Sequence, residues 1–145
     1  MKPTAKTRSD FHYFIDLGTR WSDNDIYGHV NNVMYYSYFD TTANRYLIDE
    51  GGLDIHDGEI IGLVVDSGCS YFAPVAFPDQ LEGGLAISKL GNSSVRYEIG
   101  IFKKGDVLAV AQGHFVHVFV DRTQRQSTPI PEQMREALAR LLIPA

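Results

Sequence analysis

The run Trp21-Ser22-Asp23-Asn24-Asp25-Ile26-Tyr27-Gly28-His29-Val30-Asn31-Asn32 gathers two carboxylates, one imidazole and three side-chain amides ahead of an apolar stretch. A carboxylate of this kind can attack a carbonyl carbon or take a proton from water. An imidazole beside it can orient the carboxylate or the water, or can simply be a hydrogen-bonded loop residue. Residues of these types also make turns, and turn-making is their more ordinary use. What raises the chemical reading is the place they lead to. A helix start carries unpaired N–H groups and the positive end of the helix dipole, so it can hold a developing oxyanion next to a reacting carboxylate.

Rival motifs fit less well. Asp23-x-Asp25-x-Tyr27-Gly28 begins like a calcium loop, yet Tyr27 stands where an oxygen ligand is needed and the closing glutamate position falls on Met34. His29 with Asp23 or Asp25 would need further ligands to bind a metal. His12, His56, His114 and His117 supply no recognisable spacing, so no metal is expected. The chain has no G-x-S-x-G elbow, no phosphate-cradling glycine run and no G-x-G-x-x-G. Cys69 lies in an alternating apolar stretch, where a packed thiol is its expected role.

Several elements must position the loop. Phe11 to Trp21 reads as a strand that gives way to the polar run Ser22 to Gly28. Asn31 or Asn32 can cap a helix from Val33 to about Asp49, stopped by Gly51-Gly52. Its apolar residues, Val33, Met34, Tyr35, Tyr36, Tyr38, Phe39, Ala43, Tyr46 and Leu47, surround most of the axis and predict a helix wrapped by other elements. Four further strands follow over Ile60 to Phe72, Gln80 to Leu90, Ser94 to Phe102 and Val107 to Val120, separated by turn residues. Both faces of the last are apolar, as in a central strand or a subunit interface. Pro131 then suits the first turn of a short C-terminal helix carrying Met134, Leu138, Leu141 and Leu142, with Glu136 and Arg140 spaced as an ion pair. Hairpin-length connections cannot make parallel crossovers, so the α+β order implies an antiparallel sheet curled around one helix.

Composition bounds the remaining choices. At 145 residues, with no low-complexity seam, the chain is expected to form a single domain, residues 1–9 being a frayed lead-in. Apolar residues at 44% and charged residues at 21% support a real core. A net charge of -5 offers no basic excess for nucleic acid. No apolar run approaches the roughly 18 residues of a membrane span, and no signal core precedes residue 10. The single cysteine rules out an intrachain disulfide and points to a reducing compartment, the cytoplasm by default.

The pattern Asp23-x-Asp25-x-x-Gly28-His29-Val30-Asn31-Asn32-x-x-Tyr35-x-x-Tyr38-Phe39 resembles the signature of the 4-hydroxybenzoyl-CoA thioesterase-like branch of the hotdog acyl-CoA thioesterases. A second similarity, Tyr71-x-x-Pro74 followed by Asp79-Gln80-Leu81 and Gly91-Asn92-Ser93-Ser94, extends the likeness over residues 11–120. The resemblance implies a hotdog fold, a five-stranded antiparallel sheet wrapped around the long central helix with a short C-terminal helix added. It implies pairing into a homodimer, two of which can form a homotetramer, with active sites at the subunit interface. Asp25 takes the place of the family's reacting carboxylate, the backbone N–H of Asn32 that of the group polarising the thioester carbonyl, and His29 a possible orienting role. The substrate implied is an acyl-CoA, with coenzyme A part of the substrate and no separate cofactor. Tyr35 is a candidate for the acyl pocket together with Tyr38, Tyr71 and Phe72, and Ser93, Ser94 and Arg96 are candidates for contacts to CoA. The family often has basic side chains at the turn matching Gly91-Asn92-Ser93, and this chain has none there. Hotdog relatives also include enoyl-CoA hydratases and dehydratases, for which His29 would serve, and non-catalytic acyl-CoA-binding modules.

Overall fold

The computed structural model describes residues 3–144. Five strands, β1 (Tyr13–Gly18), β2 (Ile60–Tyr71), β3 (Gln80–Leu90), β4 (Ser94–Lys103) and β5 (Ala111–Asp121), form one sheet in the order β1-β3-β4-β5-β2, with every neighbouring pair antiparallel. The long helix α1 (Met34–Asp49) lies on the concave face, and the short helix α2 (Glu132–Ala139) follows the sheet. This is the expected hotdog architecture.

The alternation in β4 and β5 is what packs the helix. Val95, Tyr97, Ile99 and Ile101 of β4, with Phe115, His117 and Phe119 of β5, turn to the concave side and meet Tyr35, Phe39, Ala43 and Leu47. Gly83 of β3 lets the helix come this close, since a Cβ there would clash with the buried Thr42. Burial draws the His117 imidazole down to about 4, and its Nδ1 lies 3.1 Å from the Tyr97 hydroxyl.

Three local expectations are corrected. The helix buries a single stripe, Tyr35, Tyr38, Phe39, Thr42, Ala43, Tyr46 and Leu47, while Val33 and Ile48 are exposed. Its off-stripe aromatics have another use: the half-buried Tyr36 ring packs edge-on against Phe39. Next, the lead-in is docked over residues 4–10. Thr7 bridges Leu108, Ala109 N–H donates to the Lys6 carbonyl, and Gln112 bonds both Lys6 N–H and the Thr4 carbonyl. Arg8 packs over Phe14 and Phe102 and pairs with Glu82, closing a small apolar cluster on the convex face that also holds Phe11, Ala86 and Ala109. Finally, Arg140 reaches Glu50 at 3.9 Å and makes no pair with Glu136 among the described residues.

Strand limits shift for similar reasons. Phe11 leaves the first strand to join the convex cluster, and Trp21 starts a 3-10 turn over Trp21–Asp23. Residues 107–110 bond the N-terminal segment and β4 before β5 begins. Pro131 sits one residue before α2. The tail of α2 pairs with the upper part of β3, through Ile87 N–H to Leu141 and Ile143 N–H to Ile87, where β1 no longer covers that strand.

Candidate active site

The loop between β1 and α1 is built around Asp23. Its side chain is fully enclosed and accepts the Tyr38 hydroxyl at 2.8 Å, the Arg20 N–H at 2.9 Å and the Arg20 guanidinium at 3.1 Å. Burial alone would raise this carboxyl, but those hydrogen bonds and the Arg20 charge outweigh it and hold the group below its ordinary value. Asp23 also accepts Asn31 N–H at its backbone oxygen, 2.8 Å away, so one residue ties both ends of the loop to the helix.

Between those ends the chain makes a tight hairpin. Asn24 bridges Val30, Asp25 N–H donates to the His29 carbonyl at 2.9 Å, and Gly28 N–H donates to the Asp25 carbonyl at 3.1 Å. Gly28 has φ of 83°, the left-handed residue that closes a three-residue hairpin loop. Asp25 Oδ1 accepts Tyr27 N–H at 2.9 Å, so turn-making is part of its role. Its Oδ2 makes no hydrogen bond among the described residues. A second loop braces the hairpin: Val30 N–H bonds the Val75 carbonyl at 2.8 Å, and Phe77 N–H bonds Asn24 Oδ1 at 3.0 Å.

The helix start completes the wall. Asn31 Oδ1 accepts Val33 N–H at 3.1 Å in a turn just ahead of the helix, but the N-cap position itself falls on Val33 with no side-chain cap, so neither of the two expected amides caps α1. Asn32 N–H, by contrast, has no acceptor among the described residues. Tyr71 at the end of β2 holds this start in place, its hydroxyl donating to the Asn32 carbonyl at 3.2 Å and its ring packing edge-on to Tyr35 at 5.1 Å.

Asp25, His29, Asn32 and Tyr35 therefore line one open cavity of about 460 Å³, which Tyr71, Phe72, Ala73 and Pro74 also line. Tyr35, Tyr71 and Phe72 line it as anticipated, whereas Tyr38 turns to Asp23. The His29 side chain makes no hydrogen bond among the described residues, so nothing within the chain couples it to Asp25. Ser93, Ser94 and Arg96 do not reach the cavity within one chain. Ser94 pairs with Val118, whereas the cavity end of the sheet is marked by Ile101, Ala111 and Tyr71, about 23 Å along β4 at the usual strand rise. Arg96 is also committed to Glu98, 2.9 Å away. Among the described residues no three His, Cys, Asp or Glu side chains converge on a metal position, and no helix is long and apolar enough to cross a membrane.

Sequence reasoning did not single out Asp23 as the anchor. Its spacing of three from Arg20 was visible, but the partner on the helix, Tyr38, becomes apparent only in the fold.

A long helix held in a curled antiparallel sheet, with an acidic hairpin at the helix start, defines the class: the chain belongs to the thioesterase-like superfamily, whose family model matches residues 19–138. Among solved structures, the PA5185 protein of Pseudomonas aeruginosa strain PAO1 is 55% identical, covering 96% of this chain and 97% of that one with a TM-score of 0.95. The BH1999 gentisyl-coenzyme A thioesterase is 26% identical over 87% of this chain and 99% of its own, with a TM-score of 0.77. A 1,4-dihydroxy-2-naphthoyl-CoA thioesterase from Synechocystis shares the fold, with a TM-score of 0.79 at 19% identity over 89% of this chain and 96% of that one. The Bacillus subtilis (strain 168) protein YsmA is 25% identical over 93 residues, a match spanning 64% of this chain and 63% of the length of YsmA.

Proposed function

We propose that this chain is a thioester hydrolase that converts an acyl-CoA to the free acid and coenzyme A. The observation that carries the reading is the meeting of the open Asp25 carboxylate with the unpaired Asn32 N–H on one cavity wall. The thioester carbonyl oxygen accepts from Asn32 N–H, where the helix dipole favours the charge that grows on it. Asp25 serves that carbon in one of two ways. As a nucleophile, its oxygen forms a mixed anhydride with the acyl carbon, CoA leaves as the thiolate, and water then hydrolyses the anhydride. As a general base, it takes a proton from water while the oxygen of that water attacks the same carbon. The tetrahedral intermediate then collapses to the acid as the C–S bond breaks and CoA leaves as the thiolate. Coenzyme A enters as part of the substrate, and the reaction needs no separate cofactor.

The functional unit in this reading is a homodimer, with a homotetramer formed by pairing two dimers. β2 is an edge strand of 12 residues, and Val64 and Val65 on it are 46% and 61% exposed. An open apolar edge of that length favours pairing with another strand. Antiparallel pairing with the same strand of a second copy would extend the sheet to ten strands. It would also bring the partner's turn carrying Ser93 and Ser94 to the end of the sheet where the cavity opens, which suits contacts to the nucleotide end of CoA. Cytoplasmic location agrees with a single, partly buried thiol, Cys69, which burial pushes up to about 11.

Thiol release from a panel of acyl-CoAs tests the reading, with wild type compared against Asp25→Asn. Hydrolysis that disappears in the variant supports it. Turnover unchanged by the substitution would remove Asp25 from the mechanism. A change in enoyl-CoA absorbance without thiol release would replace hydrolysis with hydration. Solvent ¹⁸O followed through a single turnover tests for the nucleophilic route, because water attack on the Asp25 carboxyl carbon of the anhydride would leave label in Asp25, which the general-base route never does.

A further inference from the structure

Resting on the thioesterase reading, we infer that the Tyr35 hydroxyl is a specificity group which selects acyl chains bearing an oxygen acceptor over wholly hydrocarbon ones. Four tyrosines among the described residues are buried: Tyr35, Tyr38, Tyr46 and Tyr97. Three have hydroxyl partners within the protein, namely Asp23 for Tyr38 at 2.8 Å, the Ala137 carbonyl for Tyr46 at 2.5 Å and His117 for Tyr97 at 3.1 Å. Tyr35 is only 3% exposed, yet its hydroxyl has no partner among the described residues. A buried phenol ordinarily finds one.

The location of this hydroxyl explains how it can stay unpaired. Among the described residues no fully enclosed side-chain nitrogen or oxygen lacks a partner. The Tyr35 oxygen must therefore meet open space, and the open space its side chain lines is the cavity that also holds Asp25 and Asn32. Tyr35 follows Asn32 by three residues, about 4.5 Å along a helix axis, and long helical side chains lean back toward the N-terminus. A thioester carbonyl held by Asn32 N–H thus brings the first few acyl carbons to Tyr35. Burial pushes the Tyr35 hydroxyl up to about 12, so at neutral pH it keeps its proton and can donate. An oxo or hydroxyl oxygen on the acyl chain would satisfy it, whereas a hydrocarbon chain would displace water and leave the donor unmatched.

Matched pairs test this directly: butanoyl-CoA against 3-hydroxybutanoyl-CoA, and benzoyl-CoA against 3-hydroxybenzoyl-CoA. The kcat/KM ratio within at least one pair should favour the oxygenated member by about tenfold in wild type and fall toward one in Tyr35→Phe. Affinities of non-hydrolysable thioether analogues of the same pairs are measured alongside, with thermal unfolding confirming that the variant folds. A preference in binding without any turnover would overturn the hydrolase reading and leave the Tyr35 assignment standing. Turnover with ratios near one in both pairs, or a preference that survives Tyr35→Phe, would overturn the Tyr35 assignment, as would a hydroxyl occupied by a partner subunit, which gives the same ratio of one. Failure of every analogue to bind would overturn both.

Discussion

Asp23 and Asp25 stand one residue apart on the same loop and have opposite surroundings. Asp23 is enclosed, with both oxygens bonded and its carboxyl held below the ordinary range. Asp25 uses one oxygen to shape its own turn and turns toward a cavity. A carboxylate whose lone pairs are all engaged by the protein has little left for a substrate, so Asp23 is suited to holding the loop and Asp25 to reacting. The two roles depend on each other, because the hairpin carrying Asp25 is fixed at both ends through Asp23. Rigid support around a reacting group is what makes its geometry productive.

The largest expected effect separates the pair by activity. Asp25→Asn should lower kcat by about 10² to 10⁴ in the thiol-release assay, the range for loss of a positioned base. Its unfolding midpoint should barely move, because the amide oxygen can still accept Tyr27 N–H. A large loss of stability with little loss of rate would exchange the roles assigned to the two aspartates.

Acid provides the next test, once a separate titration has been removed from it. The buried His117 is lowered to about 4, whereas in the unfolded chain it titrates near 6.5. The unfolded state therefore binds a proton that the folded state refuses. Stability is full above about pH 6.5 and falls until about pH 4, by about 3 kcal/mol in all. Urea unfolding across that window should show the decline in wild type and lose most of it in His117→Gln. Asp23 acts lower on the scale. Its folded carboxyl lies below the ordinary 3.8, so its contribution is present above that value and is lost as pH falls through and below it. In a His117→Gln background, a remaining decline confined to this more acid range would be the signature of Asp23.

Asp23→Asn should cost about 2 kcal/mol by urea unfolding at neutral pH, since it removes the charge from three hydrogen bonds, discounted because Arg20 is largely exposed. Rate should fall less than in Asp25→Asn, and through KM as much as kcat, as the hairpin loosens. A rate loss equal to that of Asp25→Asn with stability unchanged would mean that both carboxylates react.

Much of this contrast could not be read from the chain itself. Alternation in Ser94 to Phe102 and the polar run before an apolar helix carry local information, so the sheet, the helix and the loop were legible. The Asp25, Asn32 and Tyr35 cluster was legible because its residues are close in sequence and the loop feeds straight into the helix. Asp23 and Asp25 look alike as residues, and only the arrival of Tyr38 from the first turns of α1 makes one of them an anchor. The one-sided burial of α1 was hidden for a related reason, since Tyr36 and Val33 read as core residues whichever way they face. Ser93, Ser94 and Arg96 were gathered by similarity alone, and strand length separates them from the cavity within one chain.

The smallest expected effect isolates the helix side of the anchor. Tyr38→Phe keeps the ring that packs edge-on against Tyr35 at 5.8 Å and removes only the hydroxyl that Asp23 accepts at 2.8 Å. A hydrogen bond to a charged group is worth about 1.5 to 3 kcal/mol, but the two bonds from Arg20 remain and the freed oxygen can draw in water. The net cost should be about 1 kcal/mol, read as a lower urea midpoint at neutral pH. Because Tyr38 opposes burial in keeping the Asp23 carboxyl low, the same variant should move the acid loss of stability toward higher pH. A smaller midpoint with no change in the acid range would show that Arg20 alone sets the charge of Asp23, leaving Tyr38 to fix where the helix meets the loop.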